Sequence, residues 1–475
     1  MEYFSFYNHT GIENHLAEMA QKGWMIESIS NFYWTYRKIE PKNIHFSVSY
    51  YPRASDFDPG PTEEQQTFHD FCAHTGWQLA CTWFQMQVFY NEKESPIPLD
   101  TDPIMEVDTL HRACKKNFLP SHYILLALSF IMTCYFIAGV YFDPIGLLSS
   151  SGRLVTQFAY VCMFAISSVE LVTYFAWHRK AKKAAEDGIF VDTPSTIKFQ
   201  ESILAILLIG AVYWLANLFA ADDPLYIWVA IVMMASMFTI MFLVNGIKQW
   251  LKKAKASRGM NKFLTLLACF LLPTILTSII IYAGIRMNRV MMIPENIEKD
   301  NIPLSVSDMM DVNEEFYVKT NDKHETFFLG TMNVDAFIHW DYRNQQDLPD
   351  LRYDITIVKM PWLYEWCKHE MFKDMDESDN KDIPVGHRLV LKEQDPTPWG
   401  ANEVYRLYQE EGYYLNWYLL CYDDRIIDIR FDWEPTTEDM AIVNQKLNLK
   451  RIGASPLRTR TFYSSPVSSV SLTNL

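Results

Sequence analysis

The sharpest chemical feature of the sequence is Glu170, an ionisable side chain inside the apolar run SSVELVTYF. A carboxylate at membrane depth is costly and normally faces a polar interior, which makes Glu170 a candidate for ion or substrate passage. It also stands about two helical turns before the basic stretch Arg179, Lys180, Lys182 and Lys183, where it would reach the interface or pair with a lysine. A second candidate is the set Phe32, Trp34 and Tyr36 in FYWTYRK. Aromatics at alternate positions share one face of a strand, so they would line a ligand pocket or partner surface, or fill a core.

Other chemistry is sparse. HEMFK at 369–373 lacks the second His of a metalloprotease helix, and no dinucleotide, phosphate-loop or nucleophile-elbow motif occurs. DMDESDNKD at 374–382 has the oxygen density calcium prefers, yet counting from Asp374 puts Asp379 and Val385 where an EF-hand needs Gly and Glu. The eight cysteines have neither CxxC nor Cys/His ligand spacing. Cys367 and Cys421 stay open, as a pair or as free thiols. The expectation is no metal, no cofactor and no catalytic residue.

The elements that must carry these residues follow from the apolar pattern. Five segments, roughly 122–142, 154–177, 202–221, 225–247 and 263–285, supply the run of about 20 residues that a bilayer core requires. The connection after the second carries Arg179, Lys180, Lys182 and Lys183 and that after the fourth Lys248, Lys252, Lys253, Lys255 and Arg258, whereas that after the third reads AADDP. The first residues also lack a basic region followed by an apolar one. The positive-inside rule therefore places the N-terminus in the cytoplasm and, after five crossings, the C-terminal part outside. Of the net charge of −15, −12 lies beyond residue 300, as thirty Asp or Glu against eighteen Lys or Arg. Such an acidic surface argues against nucleic acid as a partner.

Residues 1–95 read as a duplication. YFSFY at 3–7 predicts a strand, IENHLAEMAQKG a helix ended by Gly23, and WMIESIS with FYWTYRK two more strands. HFSVSYY, a helix ended by Gly76, WQLACTW and MQVFYN repeat that order. Trp24 and Trp77, each following the helix-ending Gly, are expected to be equivalent core residues. Residues 96–120 form a connector ending in Arg112, Lys115 and Lys116 before the first span. Beyond the spans, FYVKT, ETFFLG, DITIVKM, HRLVLKE, EVYRLYQE, YLNWYLLCY and RIIDIRFDW predict antiparallel strands, with a hairpin turn at DDR. Two helices accompany them, PWLYEWCKHEMFK and TTEDMAIVNQKL, the second capped by Thr436 and Asp439. The end, 453–475, reads as a disordered tail.

The run IENHLAEMAQKGWMIESISNFYWTYRKIEPKNIHFSVSYYP resembles a bacterial family known as domain of unknown function twenty-eight-twelve. LAEMAQKGW, FYWTYRK, IEP and HFSVSYY carry the resemblance over roughly the first 90 residues. Family members are typically followed by several membrane spans, and their genes often sit beside PadR-type regulators. The resemblance implies a membrane-bound accessory or sensory role and carries over no catalytic residue. In architecture alone the duplicated unit is similar to GyrI-like ligand-binding domains, which points to the cleft between the copies.

The expected fold class is α+β soluble domains flanking an all-α membrane bundle: a cytoplasmic duplicated domain at 1–95, a connector at 96–120, five helices over 121–286, an acidic extracytoplasmic α+β domain at 300–450 and a tail at 453–475. The expected function is a sensory or regulatory role exerted by binding, with the bilayer and a protein or small-molecule partner at residues 1–95. A transporter or its accessory subunit is the alternative, and a membrane enzyme the third reading.

Overall fold

Gly23 and Gly76 sit at φ +85° and +95°, the left-handed conformation that ends a helix and releases the chain into a strand. Before Gly23 runs α1 (His9–Gln21), and after it β1 (Trp24–Ile29) and β2 (Trp34–Lys38). After β3 (His45–Tyr50) come α2 (Glu63–His74), Gly76, β4 (Gln78–Trp83) and β5 (Met86–Asn91). The repeated order is present, with one correction: residues 4–7 form no strand. Phe6 and Tyr7 are buried there as side-chain plugs. The computed structural model describes residues 4–30, 33–220, 224–291, 302–338, 348–378, 383–384, 386–410 and 412–448. They divide into two units, Met1–Asn296 and Ile297–Leu475.

In the first unit β1 and β2 form an antiparallel pair, and β3, β5 and β4 a three-stranded sheet with β5 central. Ile12, Leu16 and Ala20, four residues apart on α1, pack with Met25, Ile26, Phe46 and Val48. The opposite face of β5 meets α2, where Phe89 packs with Cys72 and Trp77. Both faces of β5 are therefore covered, which explains why MQVFYN does not alternate. The two tryptophans are not equivalent. Trp77 is buried and donates its indole N–H to the Ile97 carbonyl at 2.9 Å, whereas Trp24 is 41% exposed. The returning chain near Leu99 covers the one, and β1 leaves the other on its outer row.

Helix α3 (Pro103–Lys116) buries Leu110, Ala113 and Cys114 in the same core. It leads into α4 (Phe118–Phe142), the short α5 (Pro144–Ser149), α6 (Ser151–Glu186), α7 (Ile197–Ala220), α8 (Pro224–Lys253) and α9 (Arg258–Met291). Five of these, all but α3 and α5, are long and apolar enough to cross a membrane. At 36 residues, α6 is about 54 Å long, well over the ~30 Å of a bilayer core. Its last turns emerge from the span and bury Tyr174, Trp177, Ala181 and Ala185.

The second unit is a seven-stranded antiparallel sheet. Its strands are β6 (Tyr317–Glu325), β7 (Leu329–Ile338), β8 (Leu351–Val358), β9 (Leu389–Gln394), β10 (Glu403–Gln409), β11 (Tyr413–Cys421) and β12 (Arg425–Phe431), in the order β6-β7-β8-β12-β11-β10-β9. Helix α11 (Thr437–Leu447) carries the capping box expected at Thr436 and Asp439 and inserts Val443 and Leu447 into the core. Helix α10 (Tyr364–Met375) packs beside β9. ETFFLG is not a strand of its own: the Thr326 hydroxyl accepts from the amides of Phe328 and Leu329 at 3.1 and 3.2 Å and turns the chain between β6 and β7. Asp376 and Glu377, from the acidic stretch, accept the amides of Leu391 and Leu389 on β9. Residues 379–382 and the tail beyond 448 lie outside the described residues. Cys367 and Cys421 are both buried free thiols.

A Cβ on Gly23 would stand 3.0 Å from the Ile39 carbonyl oxygen in a backbone conformation side chains rarely adopt. Gly23→Ala should therefore cost ~1–2 kcal/mol. Gly246→Ala, on α8 with open space around it, should leave the melting temperature of the detergent-solubilised chain unchanged or raised. Equal shifts for both would contradict the strain.

Candidate functional site

The chain reaches its membrane helices first through residues 5–10. Tyr7 is fully buried and stands edge-on to Phe118 and Tyr174, with ring centroids 5.3 and 5.2 Å away, and lies 6.1 Å from Trp177. Beside it the Ser5 hydroxyl donates to Glu170 Oε2 at 2.7 Å, Gln200 Nε2 donates to Glu170 Oε1 at 2.6 Å, and the Thr196 hydroxyl donates to the same oxygen. Glu170 is 2% exposed, and a carboxylate so buried is tolerable only when donors saturate it. Its hydrogen-bond partners are two hydroxyls and an amide, from the N-terminal segment, the α6–α7 connection and α7.

That connection is laced to α1 as well. Asn8 caps the helix by accepting Gly11 N at 3.0 Å, and it also accepts the Thr193 hydroxyl at 2.9 Å. Thr10 and Thr193 exchange backbone-to-hydroxyl hydrogen bonds, both 3.3 Å.

A second grip comes from the turn after β3. Asp56 lies 2.5 Å from Lys248 Nζ and 3.6 Å from Lys252 Nζ. Asp58 takes Arg258 in a two-pronged pair, Nε to Oδ1 at 2.6 Å and Nη2 to Oδ2 at 2.7 Å, the geometry that fixes a guanidinium most firmly. Arg258 Nη2 also reaches the Arg53 carbonyl at 2.9 Å, and Asn261 Nδ2 the Phe57 carbonyl at 3.2 Å. The duplicated domain thus sits on the end of the bundle that carries both basic connections, α6 to α7 and α8 to α9.

Against the docked segment lies a partly buried titratable cluster, His9 and Glu13 of α1 with Asp100 and Glu106. His9 Nε2 is 2.9 Å from Glu106 Oε1, and Glu13 Oε1 accepts Val48 N at 2.7 Å. Burial pushes the Glu13 carboxyl up to about 7 and Asp100 up to about 6, Glu106 adding to both. Burial works to lower the His9 imidazole, but the Glu106 hydrogen bond and the Glu13 charge outweigh it, and His9 is raised. The void among these groups is about 10 Å³, the lower limit for one water. The cluster can exchange protons but is too tight for a larger ligand.

The sequence candidates fall elsewhere. Phe32 lies outside the described residues. Trp34 stacks on Phe4 at 5.4 Å and meets His15 at 6.0 Å, while the Tyr36 hydroxyl is 3.3 Å from His15 Nε2. Both therefore pack against α1. A separate open cleft of about 300 Å³ runs between the two halves of the repeat, lined by Met25, Arg37, Ile39, Lys42, Tyr90 and Glu92 among others. Sequence reasoning missed Ser5, Thr196 and Gln200, which are polar residues without a pattern of their own. Asp56 and Asp58 had a readable signal: SDFDPG is acidic, and the loops it meets are basic. Among the described residues no cluster could hold a metal ion.

The docked region runs from the α1 cap through α3 to the first turn of α4. Residues 8–121 match the family described as a protein of unknown function, DUF2812. The resemblance seen in LAEMAQKGW and the segments that follow it is thereby shown. No curated protein and no solved structure matches the chain. The DUF2812 region opens on Asn8, the residue that ties α1 to the α6–α7 connection, and closes on Ser121, inside the first membrane helix.

The cluster inside the DUF2812 region sets a pH dependence. Glu13 and Asp100 keep their protons in the folded state at pH values where the unfolded chain, with ordinary values of 4.5 and 3.8, has released them. The stability they contribute is complete below those ordinary values and is lost as pH rises through about 6 to 7. A raised His9 acts in the same sense, losing its share as pH climbs above 6.5. Melting temperature should fall from pH 5 to pH 8. Glu13→Gln, which keeps the Val48 contact, should gain about 3 kcal/mol over wild type at pH 8 and flatten the slope. An unchanged slope in the variant would refute the assignment.

Proposed function

We propose that this chain is a multispan membrane regulator that acts by binding. In this reading the DUF2812 region is cytoplasmic, five spans follow, and the acidic unit beyond Ile297 is extracytoplasmic. Binding at the DUF2812 region would alter the helix bundle through the grips on its helix ends. The observation that carries it is the Glu170 node. One carboxylate ties the N-terminal segment, the α6–α7 connection and α7 to α6, so a shift of α6 or α7 reaches the segment that leads into α1. A carboxylate enclosed by protein donors suits such a coupling better than ion passage. The basic connections gathered on the docked end, with an odd number of spans, support the orientation.

Tags at Met1 and Leu475 in intact cells should report opposite sides of the membrane, and finding both on one side overturns the arrangement. Glu170→Ala removes the acceptor that Ser5, Thr196 and Gln200 share and leaves them only their contacts with one another, which should cost ~2–3 kcal/mol and raise protease cleavage within residues 1–22, whereas Glu170→Gln should be milder. Cross-linking on the full-length chain should capture a protein or small molecule at the DUF2812 region, with altered recovery in Glu170→Ala. Capture of nothing specific, or a solute flux that the alanine variant abolishes, would displace the regulator reading.

A further inference from the structure

An open cleft of about 440 Å³ in the first unit is lined by Arg53, Thr62, Glu63, Glu64, Lys116 and Arg258. Two of these fix its depth. Lys116 ends α3, two residues before α4 begins, and Arg258 is the first residue of α9. Both α4 and α9 are apolar enough to span a membrane, and with both inserted the cleft would lie at the level of lipid headgroups. Next to it on these helices, Ile124 and Leu128 of α4 and Phe263 and Leu267 of α9 are exposed, as acyl-chain contacts must be.

The wall is mixed in charge. Three cationic side chains reach it from the turn after β3, from α3 and from α9, and Glu63 and Glu64 of α2 share the lining. Arg258 is engaged by Asp58. Arg53 pairs with Glu64, but their side chains are 71% and 63% exposed, and an exposed pair rearranges at a cost of only ~0–1 kcal/mol. Lys116 has no ion-pair partner among the described residues. A purely anionic ligand would meet the two glutamates, and a purely cationic one would meet the lysine. A group carrying phosphate and ammonium together satisfies both.

We propose that this cleft binds the headgroup of an aminophospholipid, phosphatidylethanolamine in its simplest form. The phosphate lies at Lys116 and Arg53, the ammonium at Glu63 and Glu64, and the acyl chains run along α4 and α9. Such a ligand would bridge the DUF2812 region and the α8–α9 pair at the membrane surface.

Native mass spectrometry of the full-length chain in detergent, with phosphatidylethanolamine or phosphatidylglycerol added, tests this directly. Wild type should retain phosphatidylethanolamine about tenfold better than phosphatidylglycerol, and Lys116→Ala should lose about tenfold of that retention, the worth of one charge-assisted hydrogen bond. The double variant Glu63→Gln, Glu64→Gln should erase the preference by holding phosphatidylglycerol better. This second variant removes no cation, so it also separates headgroup recognition from a folding defect. Equal retention of the two lipids by wild type, or full retention in Lys116→Ala, overturns the proposal. Displacement of the lipid by soluble phosphoethanolamine at comparable concentration would make the ligand a free phosphoamine and overturn the lipid assignment.

Discussion

A buried carboxylate that must be saturated organises the first unit. Glu170 sits where α6 leaves its span and is almost wholly buried, so the fold is favourable only when hydrogen-bond donors are delivered to it. They come from three places far apart in sequence, Ser5, Thr196 and Gln200. Delivering Ser5 fixes the course of the N-terminal segment and seats Tyr7 among Phe118, Tyr174 and Trp177. Delivering Thr196 folds the α6–α7 connection back along α6, which brings Thr193 to Asn8 and Thr10.

It follows that the DUF2812 region has no closed core of its own. The cluster that contains Ile12, Val48 and Met86 also contains Leu110, Cys114, Leu171, Tyr174 and Trp177. Part of the apolar surface the duplicated domain buries is thus supplied by the last turns of α6. The basic residues around it are part of the docking. Lys248, Lys252 and Arg258 are ion-paired to one acidic turn. The basic charge between α8 and α9 is thus the charge that holds the soluble domain to the helix bundle.

Legibility in the sequence tracks how local the determining physics is. The five spans were readable because the bilayer imposes length and apolarity on each helix separately. The caps at Gly23, Gly76 and Thr436 were readable because a cap is settled within a few residues. What escaped depends on distant partners. FSFY alternates like a strand, and only Glu170 and Tyr174 turn it into a plug. WMIESIS and WQLACTW look alike, and only the returning chain near Leu99 makes Trp77 a core residue while Trp24 stays outside. ETFFLG has the apolar density of a strand, yet the Thr326 hydroxyl bends it. Glu170 was visible as costly, but its donors belong to residue types that occur everywhere.

The loss of the first strand in the first copy connects these points. In the second copy β3 pairs with β5 along its whole length, and the three-stranded sheet is complete. In the first copy the equivalent residues leave the ladder, and β1 and β2 remain a two-stranded pair with β1 lying beside β4. A strand at 4–7 would spend its backbone on β-pairing and turn alternate side chains to opposite faces, so Ser5 and Tyr7 would share one face while Phe6 turned away. Released from the sheet, Ser5 reaches the carboxylate, Tyr7 fills the pocket between α4 and α6, and Phe6 still packs on Tyr50 and Trp83. Ser5 and Tyr7 thus meet Glu170 and Tyr174, one turn apart on α6, while Phe6 faces the core of the duplicated domain. The asymmetry of the duplication is the consequence of docking: one copy keeps the complete sheet, and the other gives up a strand to hold the membrane helices.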